Sequence, residues 1–370
     1  MVDCMDMTER ASATTGTAIR EGELLALAPE VARLYFERQL SKVAIGVQLG
    51  ISRFRVARLI ERALETGLVK MVFSERVLFD HELAGQIETR FGLRLCIVAR
   101  DTDAATAEGL GQLGGVGASI VSDLISPSET IGVSWGATVA AFAARLPYRD
   151  FSGVNVVQLA GGSGRLRGHE NASEVARLVA DRLGATFHPL YAPAAVRTTS
   201  LRDHLLLEPD IQATTRLWDH ISLAVTGIGA LGDLPAGTGP AVLSKVFDPS
   251  SLESLRRAGA VAELMLTVIA EDGSSVVGGV VPIAITLEQL RRGGRTVAIA
   301  GGACKSRAIA AALRSGVIDI LITDDAAARA MIAADPPTPE AKRAPRKRRS
   351  RTVRRQDRRS SVEVIKRSYE

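Results

Sequence analysis

From Leu93 onward the apolar residues gather into short runs rich in valine, isoleucine, leucine and alanine: RLCIVA, ETIGVS, VNVVQLA, ATFHPLYA, ISLAVTG, RTVAIAG and VIDILIT. Glycine, proline or polar residues bound each run, as they bound buried strands. Stretches with a helical period, among them ATVAAFAARL, ASEVARLVADRL and KSRAIAAALRSG, separate most of them. Strand and helix alternating in this way predict an α/β fold, a doubly wound and mainly parallel sheet over residues 93–334.

Upstream, residues 1–22 lack any period, and from about Pro29 the period is mainly helical. The run PEVARLYFERQL fits a first helix from about Pro29, with Val31, Leu34, Tyr35 and Gln39 near one face. Ser41 to Glu61, SKVAIGVQLGISRFRVARLIE, then reads as two short helices joined by a tight turn. Val43, Val47 and Leu49 recur at helical spacing, Gly50 breaks the pattern, and Ser52 is the predicted N-cap of the second helix. In that second helix Phe54, Val56, Leu59 and Ile60 suit a buried face and leave Arg53, Arg55 and Arg58 outward. RALETGLVKMVF extends it, stops at Gly67 and ends in an apolar run suited to a short wing strand. FDHELAGQIETRFGL reads as a helical connector that also helps pair subunits.

Spacing sharpens the reading of the helix pair. Gly46 lets two helices cross closely, Gly50 supplies a positive φ in the turn, and β-branched Val56 packs in the angle between them. This is helix-turn-helix spacing, and three cations on one face suit phosphates and base edges. A helical hairpin with a solvated basic face is the plainer alternative. The predicted organisation is a disordered 1–22, a winged-type helix-turn-helix domain at 23–74, a helical linker at 75–92, an effector domain at 93–334 and a disordered basic tail at 335–370.

Charge agrees with that division. The 370 residues carry a formal +5, yet residues 342–370 alone carry 13 Lys/Arg against 3 Asp/Glu; taking that +10 from +5 leaves −5 for residues 1–341. Within that acidic body Val31–Lys70 holds 8 Lys/Arg and 3 Glu, so positive charge collects on the helix pair. The tail is either an incidental extension or a second contact to phosphates. No apolar run is long enough to span a membrane and no signal peptide opens the chain, so a cytoplasmic location is expected. Three scattered cysteines and five scattered histidines offer neither a disulfide framework nor a metal motif, so no cofactor or metal is expected.

Candidate ligand chemistry lies at the strand ends. Gly132 to Thr138, GVSWGAT, follows a strand and opens a helix, where glycines and free N–H groups hold an anion and Ser134 and Thr138 add hydroxyls. AGGACK, ending in Lys305, repeats the arrangement with a point charge, while Gly161-Gly162 and Gly227-Ile228-Gly229 mark two further turns. Each turn alone is as well explained by plain chain reversal. Asp233 and Glu263 lie near glycine turns, either to bind sugar hydroxyls or as solvated loop acids; Cys304 suits packing, and Trp135 either core or a lid. The same stretch also contains G-x-S-x-G, which would make Ser134 a hydrolase nucleophile, but only one strand precedes it after Leu93.

Taken in order, LGISRFRVARLIERALETGLV, GVSWGATVAAFAARLP, VVQLAGG, LAVTGIGALG and the stretch ITLEQLRRGGRTVAIAGGACKSRAIAAALRSGVIDILITDDAAARAMI resemble the SorC-type (DeoR/SorC-like) sugar-binding transcriptional regulators from about Pro29 to Ile332. The resemblance implies an effector domain of the ribose-phosphate isomerase/glucosamine-phosphate deaminase type. It also implies a phosphorylated sugar effector, operator DNA as partner and a homo-oligomer, commonly a tetramer. It places phosphate binding on Ser134, Gly136, Ala137, Thr138 and Lys305, bordered by Gly161 and Gly162. Four positions depart from the family pattern: Ala160 stands for asparagine, Ala262-Glu263 for glycine-aspartate, and Gly46 for alanine. The expectation is a regulator without catalytic turnover that touches DNA through Ser52, Arg53, Phe54, Arg55 and Arg58. A sugar-phosphate isomerase or deaminase carrying a DNA-binding head is the rival, though no histidine–carboxylate constellation marks the strand ends.

Overall fold

The computed structural model describes residues 26–69, 77–166, 168, 171–231, 242–278 and 281–334. The expected disordered N-terminus, the wing strand over KMVF, Asp233 and the basic tail lie outside the described residues. The chain divides into two units, Met1–Phe73 and Ser74–Glu370.

In the first unit α1 (Ala28–Ala32) begins with Pro29 in its first turn and runs into a π-helical turn, Arg33–Glu37. Helices α2 (Lys42–Leu49) and α3 (Arg53–Glu65) follow, each opened by a serine whose Oγ accepts a backbone N–H: Ser41 from Ala44 at 3.1 Å and Ser52 from Arg55 at 3.3 Å. Such caps each contribute about 1 kcal/mol. Gly50 ends α2 in the left-handed region at φ 64°, so the chain reverses within three residues. A side chain at Gly46 would meet the carbonyl of Ile51 at 2.6 Å, which fixes how closely α2 lies to the turn. Val31, Ile45, Ile51, Val56, Leu59 and Ile60 form the core, with Val56 fully buried in the angle.

Three apolar residues stand in solvent: Val43 is 57% exposed, Val47 80% and Phe54 69%, so Phe54 leaves the buried face it suited and joins the positions expected to touch DNA. Helical phase explains the first two. Ile45 and Leu49 make one i, i+4 ridge and Val43 and Val47 another about 200° round the axis, and only the first can face the core. Gln39, expected on the inner face of the first helix, is exposed beyond its end with φ 55°.

In the second unit seven strands form one parallel sheet: β1 (Leu95–Ala99), β2 (Thr130–Val133), β3 (Asn155–Gln158), β4 (Thr186–His188), β6 (Leu223–Thr226), β12 (Arg295–Ile299) and β13 (Ile320–Asp324). Each lies in one of the seven apolar runs. Their order, β1-β13-β12-β6-β2-β3-β4, runs outward from β2 through β3 to β4, and from β6 through β12 and β13 in the opposite sense. The directions part between β2 and β6, and in such sheets the crevice at that point is where ligands bind.

Side chains alternate between two cores across the sheet. Leu95, Ile97, Leu223, Val225, Ile320 and Ile322 join helices α5 (Ala107–Leu124), α6 (Ala137–Arg145) and α7 (Ala172–Leu183) on one face. Cys96, Val98, Ala224 and Leu321 face the other, against α4 (His81–Phe91), α13 (Ser306–Arg314) and α14 (Asp325–Ala334). Truncating a fully buried side chain here, such as Leu223, costs about 2–5 kcal/mol. Helix α4 occupies the segment expected to be a connector, yet its Leu83, Ile87 and Phe91 are buried in the sheet unit's own core.

Two smaller sheets complete the unit. Strands β7 (Gly229–Ala230), β8 (Ala260–Leu264), β9 (Thr267–Ala270) and β10 (Ser275–Val276) make an antiparallel sheet, and β5 (Ala195–Val196) pairs with β11 (Val281–Pro282). The short helices α8 (Thr199–Leu205), α9 (Pro209–Thr215), α10 (Val242–Val246), α11 (Pro249–Arg257) and α12 (Leu287–Arg292) lie in the connections between these strands and the main sheet. Among the described residues no helix is long and apolar enough to cross a membrane.

Candidate functional site

On α3 the guanidiniums of Arg53, Arg55 and Arg58 are all exposed, and Arg53 lies over the Phe54 ring at 4.9 Å. Ser52 is exposed too, with its Oγ accepting the Arg55 N–H, so its hydroxyl proton stays available to an acceptor outside the chain. The five positions singled out on this helix thus share one solvent-facing end.

In the sheet unit the switch point between β2 and β6 has a distinctive end. After β2 the Ser134 N–H donates to Val225 O on β6 at 3.0 Å, and the chain turns through Gly136 at φ 119° into α6. No side chain caps that helix, an arrangement whose first N–H groups suit an anion. Ser134 and Thr138 are buried beside it. From β6 the turn at Gly227 meets this one: a side chain there would lie 3.3 Å from Thr138 Oγ1 and 3.5 Å from Trp135 O. Trp135 itself is 4% exposed and packs with Leu243, Phe247 and Leu252, which makes it core.

Charges enter from the neighbouring elements. On β8 Glu263 is paired opposite Gly229, where any side chain would run into its carboxylate. Burial pushes Glu263 up to about 7, against the opposing effects of the Leu266 N–H and the Lys305 charge. Leu266 N donates to Glu263 Oε1 at 2.5 Å and so closes the buried β8–β9 turn, in which Met265 and Leu266 both take positive φ, 47° and 64°. Non-glycine residues in that region cost about 1–2 kcal/mol each. Lys305 ends the short 3₁₀ turn Ala303–Lys305 after β12, half-buried. Burial lowers its ammonium from the usual value, while Cys304, Asp324 and Glu263 act to raise it.

Asp324, at the end of β13, was not singled out from sequence. It is fully buried, and Oδ2 accepts from Gly302 N at 2.7 Å and Ala104 N at 3.1 Å while Oδ1 accepts from Ala327 N at 2.8 Å. Burial raises its pKa, and Asp103 acts in the same direction. Its only sequence signal is an acid placed where a strand gives way to a helix N-terminus.

Gly161 and Gly162 donate their N–H groups to Ile283 O at 2.8 Å and Ala192 O at 2.9 Å, and a side chain at Gly161 would collide with Pro193 O. These glycines admit a neighbouring chain segment, and their amides are not free for an anion. Cys304 is exposed where packing was expected. For the nucleophile reading of Ser134, its Oγ contacts Trp135 O at 3.5 Å and, among the described residues, meets no histidine; His188 is bonded to Asn155 and His204 to Ser200.

Residues 75–333 match the family described as "Putative sugar-binding domain". The chain belongs to the SorC family of sugar-binding transcriptional regulators. This SorC-family chain is 30% identical over 203 residues to the sorbitol operon regulator of Klebsiella pneumoniae, covering 54% of the chain but only 64% of that protein. It is 26% identical over 318 residues to the deoxyribonucleoside regulator of Bacillus subtilis, covering 85% of the chain and 98% of that protein. Among solved structures, the full-length sorbitol operon regulator SorC from Klebsiella pneumoniae superposes with a TM-score of 0.61 at 26% identity, covering 83% of this chain and 99% of that one.

Proposed function

We propose that this chain is a DNA-binding transcriptional regulator whose operator affinity is set by a phosphorylated sugar. In this reading α2 and α3 form the helix-turn-helix, α3 enters the major groove, and Ser52, Arg53, Phe54, Arg55 and Arg58 face the duplex. The sheet unit takes the ribose-phosphate isomerase/glucosamine-phosphate deaminase architecture as a sensor without turnover, in a homo-oligomer such as a tetramer.

What supports the effector reading most is the uncapped first turn of α6 at the switch point. An anion there gains the N–H groups of Gly136, Ala137 and Thr138 and the hydroxyls of Ser134 and Thr138; Lys305 adds a cation from the next strand end but one. Glu263 then lies toward the sugar and accepts its hydroxyls. Effector binding changes operator affinity only by the difference in its own affinity for the free and DNA-bound protein.

Thermal shift of the full chain with a panel of sugar phosphates, each beside its unphosphorylated parent, tests this. One phosphorylated sugar is expected to stabilise the sheet unit, by about 2.7 kcal/mol at a hundredfold excess over its Kd. It should change operator affinity and yield no product. Lys305→Met should weaken that ligand about 10- to 100-fold, the loss of a charged hydrogen bond. Turnover of any sugar phosphate would make the protein an enzyme, and equal stabilisation by the parent sugar would remove the phosphate from the reading.

A further inference from the structure

The outward face of the helix pair is not simply basic. Val43 and Val47 on α2 share a shallow hollow of about 290 Å³ with Gly46, Ile51 and the stem of Arg53. Arg53 in turn lies over the Phe54 ring, so the hollow, the guanidinium and the ring form one continuous surface. Three large apolar side chains standing in water at 57%, 80% and 69% exposure, with Ile45 and Val56 buried behind them, are not surplus core.

The occupant of this surface must satisfy two requirements together. It must meet the apolar hollow, and it must offset Arg53, Arg55 and Arg58, which an apolar protein face would strip of water without returning charge. The major groove of duplex DNA meets both, because its walls are phosphates and the only apolar group on its floor is the C5-methyl of thymine. The side-chain inventory of α3 points the same way. Arg53–Glu65, RFRVARLIERALE, contains no asparagine or glutamine, so the bidentate amide pairing that reads adenine is not available from it. Arginine reads guanine, and the apolar side chains beside it can read an A·T pair through the methyl group of its thymine.

We infer that Val43, Val47 and Phe54 form a thymine-methyl reader, and that the operator carries a thymine one or two base steps from an arginine-read guanine. Arg53 lies over the ring of its sequence neighbour Phe54 at 4.9 Å, so the two side chains leave the helix side by side and reach adjacent base steps. This rests on the DNA-binding reading above and names what the apolar part of that surface recognises.

The test starts from duplexes selected from a random pool by the full-length protein, with and without a mixture of sugar phosphates. Each thymine of the selected site is then replaced singly by deoxyuridine, which removes the methyl and leaves every hydrogen-bonding group in place. At one or two positions affinity should fall about fourfold, the transfer value of one buried methyl group. In Val47→Ala or Phe54→Ala the same replacement should cost nothing, while the loss of affinity through guanine substitution persists. Because both side chains are exposed, neither variant should change the melting temperature. If no sequence is enriched, the DNA-binding reading falls and this one with it. If a site is enriched but binds equally well with uridine throughout, this inference alone is wrong. It is equally wrong if the alanine variants change the protein's mass in sedimentation, since the surface then joins copies of the chain.

Discussion

On α3 the guanidiniums of Arg53, Arg55 and Arg58 stand in solvent, whereas at the carboxyl ends of the sheet Glu263 is buried and Lys305 half-buried. Water screens the first set so well that any one pair of charges 4 Å apart is worth about 1 kcal/mol. Such a surface works by number, through counterions released from a polyanion, and is tuned by salt. Inside the sheet unit burial displaces a single carboxyl, Glu263, far from its ordinary titration, against the Leu266 N–H and the Lys305 charge. The charge state of that region depends on individual groups and on pH.

Replacing Arg53, Arg55 and Arg58 together by alanine should give the largest effect. Operator affinity is expected to fall about a thousandfold or more, and the slope of log affinity against log salt should flatten by about 0.9 for each phosphate left without its arginine. Fluorescence anisotropy titrations across a salt series measure both, and the sheet unit's melting temperature should not move. An unchanged slope would mean that the exposed cations do not meet the duplex.

The buried site should answer to pH and ignore salt. Glu263 titrates near 7 in the folded chain against 4.5 in the unfolded one, so between those values the folded chain holds a proton the unfolded chain has lost. The stability contributed by the neutral carboxyl is therefore complete below about 4.5 and is lost as pH rises through 7. Glu263→Gln stays neutral and keeps an oxygen for the Leu266 N–H. It should match the parent near pH 4.5 and exceed it by at most about 3 kcal/mol at pH 8, read from denaturant melts at both values. Equal stability at pH 8 would place the carboxylate in a more polar setting than its burial indicates.

Gly46→Ala should have the smallest effect and sharpens the contrast from the packing side. Helix propensity alone favours alanine by about 1 kcal/mol. The Ile51 carbonyl 2.6 Å from the new methyl requires the turn to move, so the first unit is expected to melt lower. Circular dichroism melts decide the sign, and a gain in stability would show that the turn yields freely.

Much of the sheet was legible because buried parallel strands are apolar on both faces and stand out as runs. All seven runs are strands of one sheet. Helix α5 escaped notice although it has 18 residues, because its five glycines argue against a helix. The fold explains them: a side chain at Gly114 would meet the backbone of Ala141 at 2.6 Å, so the residue is kept for the crossing of α5 over α6. The antiparallel sheet was missed since two of its strands have only two residues each. On the helix pair apolar identity was equated with burial, which holds for Val56 and fails for Val43, Val47 and Phe54. Of the candidate ligand turns, those at Gly136 and Lys305 lie at strand ends flanking β6, while Gly161 and Gly162 serve chain packing through partners some 30 and 120 residues away that no local pattern announces.

Asp324 ties together stretches far apart in the chain, since the amides at 104, 302 and 327 all end on its two oxygens. Shifting any one of them either carries the others along or forfeits a bond to a buried acid group, about 1.5–3 kcal/mol when it is ionised. The loop before α5, the corner bearing Lys305 and the first turn of α14 are therefore pinned to one carboxylate.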